Sequence, residues 1–143
     1  MPMTRRNLLR TGWKAGTGGG GKIKLGDPAN FQAGTATFIR EGRLWVANAG
    51  GELFAISQKC PHLGCRVPFC ESSGRFECPC HGSVFDLGGE WISGPSPRGM
   101  DQFPLTIVAD ELIADTGNKL PGPDRGASTY LTPPKGPSCV QKD

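Results

Sequence analysis

Two short stretches decide the fold of this chain: CPHLGC at residues 60–65 and CPCHGS at residues 78–83. Each stretch places a histidine two or three residues after a cysteine. Both histidines of the 143-residue chain, and five of its six cysteines, lie between residues 60 and 81. Thiolates and imidazoles in close proximity are the ligands that zinc and iron prefer. The paired motifs therefore predict a metal centre.

Two kinds of metal centre fit a set of two cysteines and two histidines. One is a structural zinc site with four protein ligands. The other is a two-iron, two-sulfide cluster in which thiolates and imidazoles share the ligation. A zinc finger usually places both cysteines on one knuckle and both histidines on a helix, whereas here each stretch offers a cysteine and a histidine. This spacing favours the two-metal cluster and keeps zinc as the alternative.

The sequence around the motifs predicts an all-β fold. Runs of β-branched and aromatic residues alternate with short turns, which is typical of antiparallel strands. Residues 58–97 interrupt this pattern with a segment dense in Cys, Gly and Pro, and long loops of this kind usually carry function. We expect an antiparallel framework of stacked sheets with a loop-built cluster-binding insert at about 58–97. The predicted strands are 35–40, 43–48, 52–57, 75–78, 84–86, 90–92, 104–108 and 111–115, the last two joined at Ala109-Asp110.

Composition excludes several classes of protein. The 22 glycines and 13 prolines argue against a helical bundle, because these residues are the least favourable in a helix interior. A net charge of +3 is too small to indicate nucleic-acid binding. The chain as given has no run of about 18 apolar residues and therefore no predicted transmembrane helix.

The two ends differ from the predicted domain at residues 23–116. Residues 1–22 form a basic segment whose Arg5-Arg6 pair resembles a twin-arginine export signal, although the apolar region of such a signal is missing. A chance arginine pair and an omitted membrane segment are both alternatives. The glycine run at 16–21 predicts a flexible hinge. The Pro- and Gly-rich tail, 117–143, is expected to be irregular.

Together with GPSP at residues 94–97, the two motifs resemble the Rieske iron–sulfur proteins, specifically the branch found in quinol–cytochrome c reductase complexes of the cytochrome bc type. The resemblance covers roughly residues 35–116. It implies a Rieske-type β fold and a [2Fe-2S] cluster. The resemblance places Cys60 and Cys78 on the inner iron, and His62 and His81 on the outer iron near the surface.

The resemblance also implies a disulfide between Cys65 and Cys80 that links the two cluster loops. Low-potential Rieske ferredoxins and oxygenase domains generally lack this cysteine pair, so its presence favours the quinol-oxidising branch. A structural disulfide implies an oxidising compartment. The two remaining cysteines, Cys70 and Cys139, are left open between a second disulfide and free thiols.

Several further residues lie around the cluster by resemblance. The Ser83 hydroxyl is expected to donate to a bridging sulfide, and Leu63 to form an apolar docking tip beside the histidines. Phe85 departs from many bc-type members, which have a tyrosine whose hydroxyl bonds a cysteine sulfur. This difference predicts a lower reduction potential, as a donor such as menaquinol requires. The full set of predicted cofactor-binding residues is Leu63, Gly64, Ser83, Phe85, Gly94, Pro95 and Pro97.

The ligand set explains why such a cluster accepts electrons. Two thiolates and two neutral imidazoles leave the oxidised cluster neutral, whereas four thiolates leave it doubly negative, so the mixed set raises the potential. The resemblance implies that His62 and His81 also react. They would take up a proton as the cluster takes an electron from a quinol.

The resemblance therefore predicts the iron–sulfur subunit of a quinol–cytochrome c oxidoreductase, which is not a complete enzyme alone. Its partners would be a cytochrome b-type subunit with quinol and a c-type cytochrome, since this chain has no Cys-x-x-Cys-His haem site. The expected location is the periplasm or the outer face of the cytoplasmic membrane, with attachment through a partner or a missing N-terminal helix. The alternatives are a soluble periplasmic oxidase subunit of the arsenite oxidase type and a zinc-stabilised binding module.

Overall fold

The computed structural model describes residues 21–126 and 134–139, and these residues form an almost entirely β structure. Eleven strands within the described residues make three sheets, and every strand pair is antiparallel. Two short 3₁₀ helices span Pro28–Asn30 and Arg40–Gly42. The strands are β1 (Lys22–Gly26), β2 (Ala36–Ile39), β3 (Leu44–Ala49), β4 (Glu52–Ser57), β5 (Phe69–Cys70), β6 (Arg75–Glu77), β7 (Val84–Phe85), β8 (Trp91–Ser93), β9 (Gln102–Phe103), β10 (Leu105–Val108) and β11 (Glu111–Asp115).

The central sheet has the strand order β2-β3-β4-β9 and buries side chains on both faces. Successive residues of a strand point to opposite faces. On β4, Leu53 and Ala55 therefore join the core shared with β10 and β11, whereas Phe54 and Ile56 join the core shared with β6 and β7. The central sheet consequently connects two hydrophobic cores, one in the framework and one beneath the predicted metal centre.

The other two sheets flank this central one. The framework sheet has the order β1-β11-β10, and the third sheet has the order β5-β6-β7-β8. The third sheet lies within the segment predicted as the cluster-binding insert. Residues 60–65 lie between β4 and β5, residues 78–83 between β6 and β7, and residues 94–97 directly after β8. Connections of this small sheet thus carry all three predicted cluster loops.

The all-β antiparallel fold is confirmed, and so is the meander of β2, β3 and β4. The β10–β11 turn also falls at Ala109 and Asp110, whose φ angles of 50° and 64° are both left-handed. Three strands were missed, β1, β5 and β9. Strand β1 begins at Lys22, which pairs with Asp115 in the framework sheet.

The predicted C-terminal tail contains no strand in its described part, yet it is bound closely to the domain. Backbone hydrogen bonds join Gln102 and Leu120 in both directions, at 2.9 and 2.7 Å. The N–H of Gly99 donates to the Pro123 carbonyl at 2.7 Å. These contacts hold the first part of the tail beside the third cluster loop.

The predicted twin-arginine pair and most of the glycine run lie outside the described residues. Within residues 21–126 and 134–139, no helix has the length and apolar character needed to cross a membrane.

Candidate metal centre

The first cluster loop, residues 60–65, is closed by two backbone hydrogen bonds. The N–H of Cys60 donates to the carbonyl of Cys65 at 2.7 Å, and the N–H of Gly64 donates back to the carbonyl of Cys60 at 2.9 Å. Gly64 has a φ of +80°, a left-handed conformation that glycine adopts without steric cost. Gly64, which was predicted to bind the cofactor, therefore shapes the backbone of the first loop.

The second cluster loop, residues 78–83, repeats the same hydrogen-bond pattern. The N–H of Cys78 donates to the carbonyl of Ser83 at 2.8 Å, and the N–H of Gly82 donates to the carbonyl of Cys78 at 3.0 Å. Gly82 has a φ of +81°, almost the same as the glycine of the first loop. Both six-residue motifs therefore have glycine at the fifth position for the same reason, which is the left-handed backbone conformation at that residue. Gly82 was not among the predicted site residues, although the repeated spacing of the two motifs is the signal that identifies it.

The first cysteine of each loop provides a buried thiol. Cys60 and Cys78 are the free cysteines of the described residues and are 3% and 2% exposed. Burial raises the pKa of the Cys60 thiol, and the neighbouring Cys78 raises it further, while the N–H groups of His62 and Leu63 act in the opposite direction. Two adjacent buried thiols favour deprotonation only when a cation compensates the charge, which suits a metal site.

The two histidines meet at the outer end of the site. The ring centroids of His62 and His81 are 5.0 Å apart and the ring planes lie at 85°. His62 is half-buried and His81 is exposed, and Leu63 beside them is 67% exposed. The buried thiols and the surface imidazoles thus form a donor set with an inner and an outer half.

The structure contains the Cys65–Cys80 disulfide, with a Cα–Cα distance of 6.6 Å. It joins the end of the first loop to the second loop, beside Cys78. The Sγ atoms of Cys65, Cys78 and Cys80 all lie within 4.8 Å of one another. Because two of these sulfurs are bonded to each other, the group offers a metal one thiolate rather than three.

The third cluster loop packs against the second at very short range. Gly94 has a φ of +96°, and a Cβ atom at this position would lie 2.4 Å from the Cα of Ser83. The buried Ser83 hydroxyl accepts a hydrogen bond from the N–H of Ser96 at 3.0 Å. Pro95 and Pro97, on either side of Ser96, are exposed. The third loop therefore packs directly on the second through Gly94, and the contact from Ser96 was missed.

Phe85 forms part of the floor of the site. Its side chain is 0% exposed and packs in the same buried core as Cys60 and Cys78. The neighbouring strand places Phe76 directly opposite. An aromatic ring without a hydroxyl keeps this floor apolar.

A second disulfide, between Cys70 and Cys139, fixes the end of the described tail to the third sheet. Beside it, the buried carboxylate of Glu77 accepts hydrogen bonds from the hydroxyls of Ser73 and Ser138, both at 2.7 Å, and from the N–H of Cys139 at 2.8 Å. Three donors offset the cost of burying this carboxylate one residue before Cys78. The open question of the last two cysteines is thereby answered in favour of pairing.

The donor set fits a mixed-ligand cluster. Four of the six cysteines are bonded in pairs, which leaves two free thiols, and both histidines of the chain lie next to each other at the same site. Two thiolates and two imidazoles on two neighbouring loops are the ligand set of a two-iron cluster in which one iron has histidine ligands.

The fold and this donor set define a β-sheet domain with a mixed thiolate and imidazole metal centre at one end. A model of the family described as the Rieske [2Fe-2S] domain matches residues 21–104. The chain therefore belongs to the Rieske [2Fe-2S] domain family, and its cofactor is a [2Fe-2S] cluster.

Proteins with similar sequences include two iron–sulfur subunits of cytochrome b6-f complexes. The chain is 42% identical over 75 residues to the cytochrome b6-f complex iron–sulfur subunit of Chlorobaculum thiosulfatiphilum, covering 52% of this chain and 41% of the relative. It is 38% identical over 116 residues to the subunit of the same name from Prochlorococcus marinus strain AS9601, covering 70% of this chain and 65% of the relative. The chain thus spans less than two thirds of the length of either relative.

Solved structures share the fold. A chain of a hyperthermophilic respiratory Complex III is 27% identical with a TM-score of 0.51, covering 62% of this chain and 71% of that chain. The plasma membrane Rieske protein PetC3 of Synechocystis PCC 6803 is 23% identical with a TM-score of 0.50, covering 65% of this chain and 98% of that one.

Proposed function

We propose that this protein takes an electron and a proton from a quinol and passes the electron to a c-type cytochrome within a cytochrome bc-type complex. The observation that carries the proposal is the arrangement of His62 and His81. Their rings lie 5.0 Å apart at the accessible end of the site, above two buried thiols. A substrate hydroxyl can therefore approach an imidazole while the thiolate side stays covered.

The two halves of the donor set have different tasks. Cys60 and Cys78 would hold one iron from a buried position where water has little access. His62 and His81 would hold the other iron through one ring nitrogen each, which would leave the second nitrogen free to accept or release a proton. When bound, the [2Fe-2S] cluster supplies the one-electron acceptor.

The surface around the histidines suits docking to an apolar site. Leu63 is 67% exposed and follows His62 directly in the first loop. This position places an apolar side chain at the surface beside the histidines, as docking to an apolar partner would require. We assign the quinol-bearing face of a cytochrome b-type subunit as the partner of this tip, in keeping with relatives named as subunits of cytochrome b6-f complexes.

The proposed location is the outer face of the cytoplasmic membrane or the periplasm, after twin-arginine export. The two disulfides support an oxidising compartment, since structural disulfides are rare in the reducing cytosol. Attachment through the cytochrome b-type partner would keep the cluster loops accessible to quinol.

Affinity purification from solubilised membranes tests the proposal. A tagged full-length chain is expected to bring down b-type and c-type haem, and the purified assembly should reduce its cytochrome when quinol is added. A cluster-free Cys78→Ser variant is the control, because it should lose quinol-dependent reduction. Recovery from the periplasmic fraction with an oxidase and without b-type haem would contradict the proposal and support the soluble-subunit alternative.

A further inference from the structure

Arg125 binds the third cluster loop from the C-terminal tail. Its Nε donates to the carbonyl of Ser96 at 2.8 Å, and its Nη2 donates to the carbonyl of Gly94 at 3.2 Å. The guanidinium also lies over the Trp91 ring, 4.6 Å from the centroid. The indole N–H of Trp91 donates to the same Gly94 carbonyl at 3.1 Å. Arg125 thus makes two hydrogen bonds with the loop and one ring contact with the strand before it, although it lies beyond the residues 21–104 that match the family.

The two carbonyls bound by Arg125 flank one particular peptide group. Pro95 and Pro97 have no N–H, so Ser96 supplies the one backbone donor of residues 95–97. That N–H donates to the Ser83 hydroxyl oxygen at 3.0 Å. A hydroxyl that accepts one hydrogen bond still has its own hydrogen to donate. Fixing the Ser96 peptide therefore fixes the direction in which the Ser83 hydroxyl donates.

The tail reaches this position through a close backbone contact. A Cβ atom at Gly122 would lie 2.2 Å from the carbonyl oxygen of Gly99, a distance that no side chain tolerates. The N–H of Gly122 donates to the Asp101 carboxylate at 3.1 Å, and that carboxylate also pairs with Arg98. Gly122 thus allows the tail to approach closely enough for Arg125 to reach the loop.

We propose that Arg125 is a positioning residue for the metal centre, acting through the Ser96 peptide on the Ser83 hydroxyl. The planar guanidinium holds both sides of that peptide at once, which a lysine ammonium cannot do. The inference rests on the proposed electron-transfer function, since it concerns the tuning of the same cluster. Loss of the contact should lower the reduction potential, because a loosely held hydroxyl stabilises the reduced cluster less.

The test compares Arg125→Ala and Arg125→Lys with the wild-type holoprotein. Both variants are expected to have a lower reduction potential and an altered electron paramagnetic resonance spectrum. Amide exchange of the peptide covering residues 94–99 should become about tenfold faster, the factor typical of losing one hydrogen bond to a charged group. The matched control is Arg40→Ala, which removes an exposed arginine from the short helix at Arg40–Gly42 and should change none of these values.

A second variant tests the route through the tail. Gly122→Ala should displace the tail and reproduce the potential of Arg125→Ala, and the double variant should add no further change, as coupled positions do. An unchanged potential in Arg125→Ala, or a wild-type potential restored in Arg125→Lys, would overturn positioning by the guanidinium. If Arg125→Ala fails to fold, the reduction potentials of Arg125→Lys and Gly122→Ala decide the question instead, and wild-type values in both would overturn the proposal.

Failure of the proposed function is recognised separately. A wild-type protein without a reducible cluster would reject the electron-transfer function. The amide exchange of residues 94–99 would still show whether Arg125 holds the loop.

Discussion

The substitution Phe85→Tyr tests the floor of the site. Phe85 lies on β7, is 0% exposed and packs in the same core as the two free thiols. Tyrosine adds only a hydroxyl at the end of the ring, so the change in volume is small. By the family resemblance, this hydroxyl would donate to a cysteine sulfur, and such a contact would strengthen as the cluster gains negative charge on reduction.

The size of the effect follows from the strength of one hydrogen bond. A buried neutral hydrogen bond stabilises by about 1 kcal/mol. A tenfold change in an equilibrium constant, about 1.4 kcal/mol, corresponds to about 59 mV for one electron. If the bond strengthens on reduction by about 1 kcal/mol, Phe85→Tyr should raise the reduction potential by about 40 mV. The 0% exposure of this position means that water offers the new hydroxyl no alternative partner.

Redox titration followed by electron paramagnetic resonance measures this shift. The matched control is Phe76→Tyr, since Phe76 is opposite Phe85 in the sheet, is equally buried, and packs against Trp45 and Phe69. Its potential should stay at the wild-type value. An unchanged potential in Phe85→Tyr, or an equal rise in both variants, would refute the reasoning.

Three further predictions concern the Cys70–Cys139 disulfide, the Cys60 thiol and the exposed Leu63 side chain. Replacing Cys70 and Cys139 together by alanine should lower the free energy of unfolding by about 4 kcal/mol, the chain-entropy value for a 69-residue separation. Denaturant unfolding measures this loss, and unchanged stability would contradict it. Because burial raises the pKa of the Cys60 thiol, its thiolate form grows as the pH rises. Cluster insertion into the iron-free protein should therefore be faster at about pH 9 than at about pH 7, and a rate independent of pH would count against this. Leu63→Ala should slow quinol-driven reduction within the complex by about tenfold, through loss of one apolar contact. Its reduction potential should not change, and stopped-flow rates equal to wild type would show that the exposed tip does not dock.

Local sequence signals were sufficient for most of the longer strands, although the five-residue β1 was missed. The runs that form β2, β3 and β4 carry enough β-branched and aromatic residues to be recognised individually. By contrast, β5 and β9 are two residues long each and have no periodicity to detect. The repeated cysteine–histidine spacing predicted the donor residues, and the structure shows that the same closed loop occurs twice there.

Long-range contacts could not be predicted from the sequence. Pairing of Cys70 with Cys139 depends on where the tail returns to the third sheet, and spacing alone leaves connectivity open. The contacts of Arg125 depend on a backbone approach at Gly122 that only the folded chain reveals. Proline and glycine in the tail suggested irregular structure. In the folded chain, Gly122 and Gly136 have no Cβ atom, and this allows the tail to pack closely on the domain.

The presence of a [2Fe-2S] cluster on the two free thiols and the two histidines is the central claim. Visible absorption and electron paramagnetic resonance of the dithionite-reduced protein, together with iron and sulfide analysis, test it most directly. We expect a coloured protein with two irons and two acid-labile sulfides per chain, and the paramagnetic signal of a one-electron-reduced, histidine-ligated cluster. A colourless, silent protein that contains zinc would contradict it.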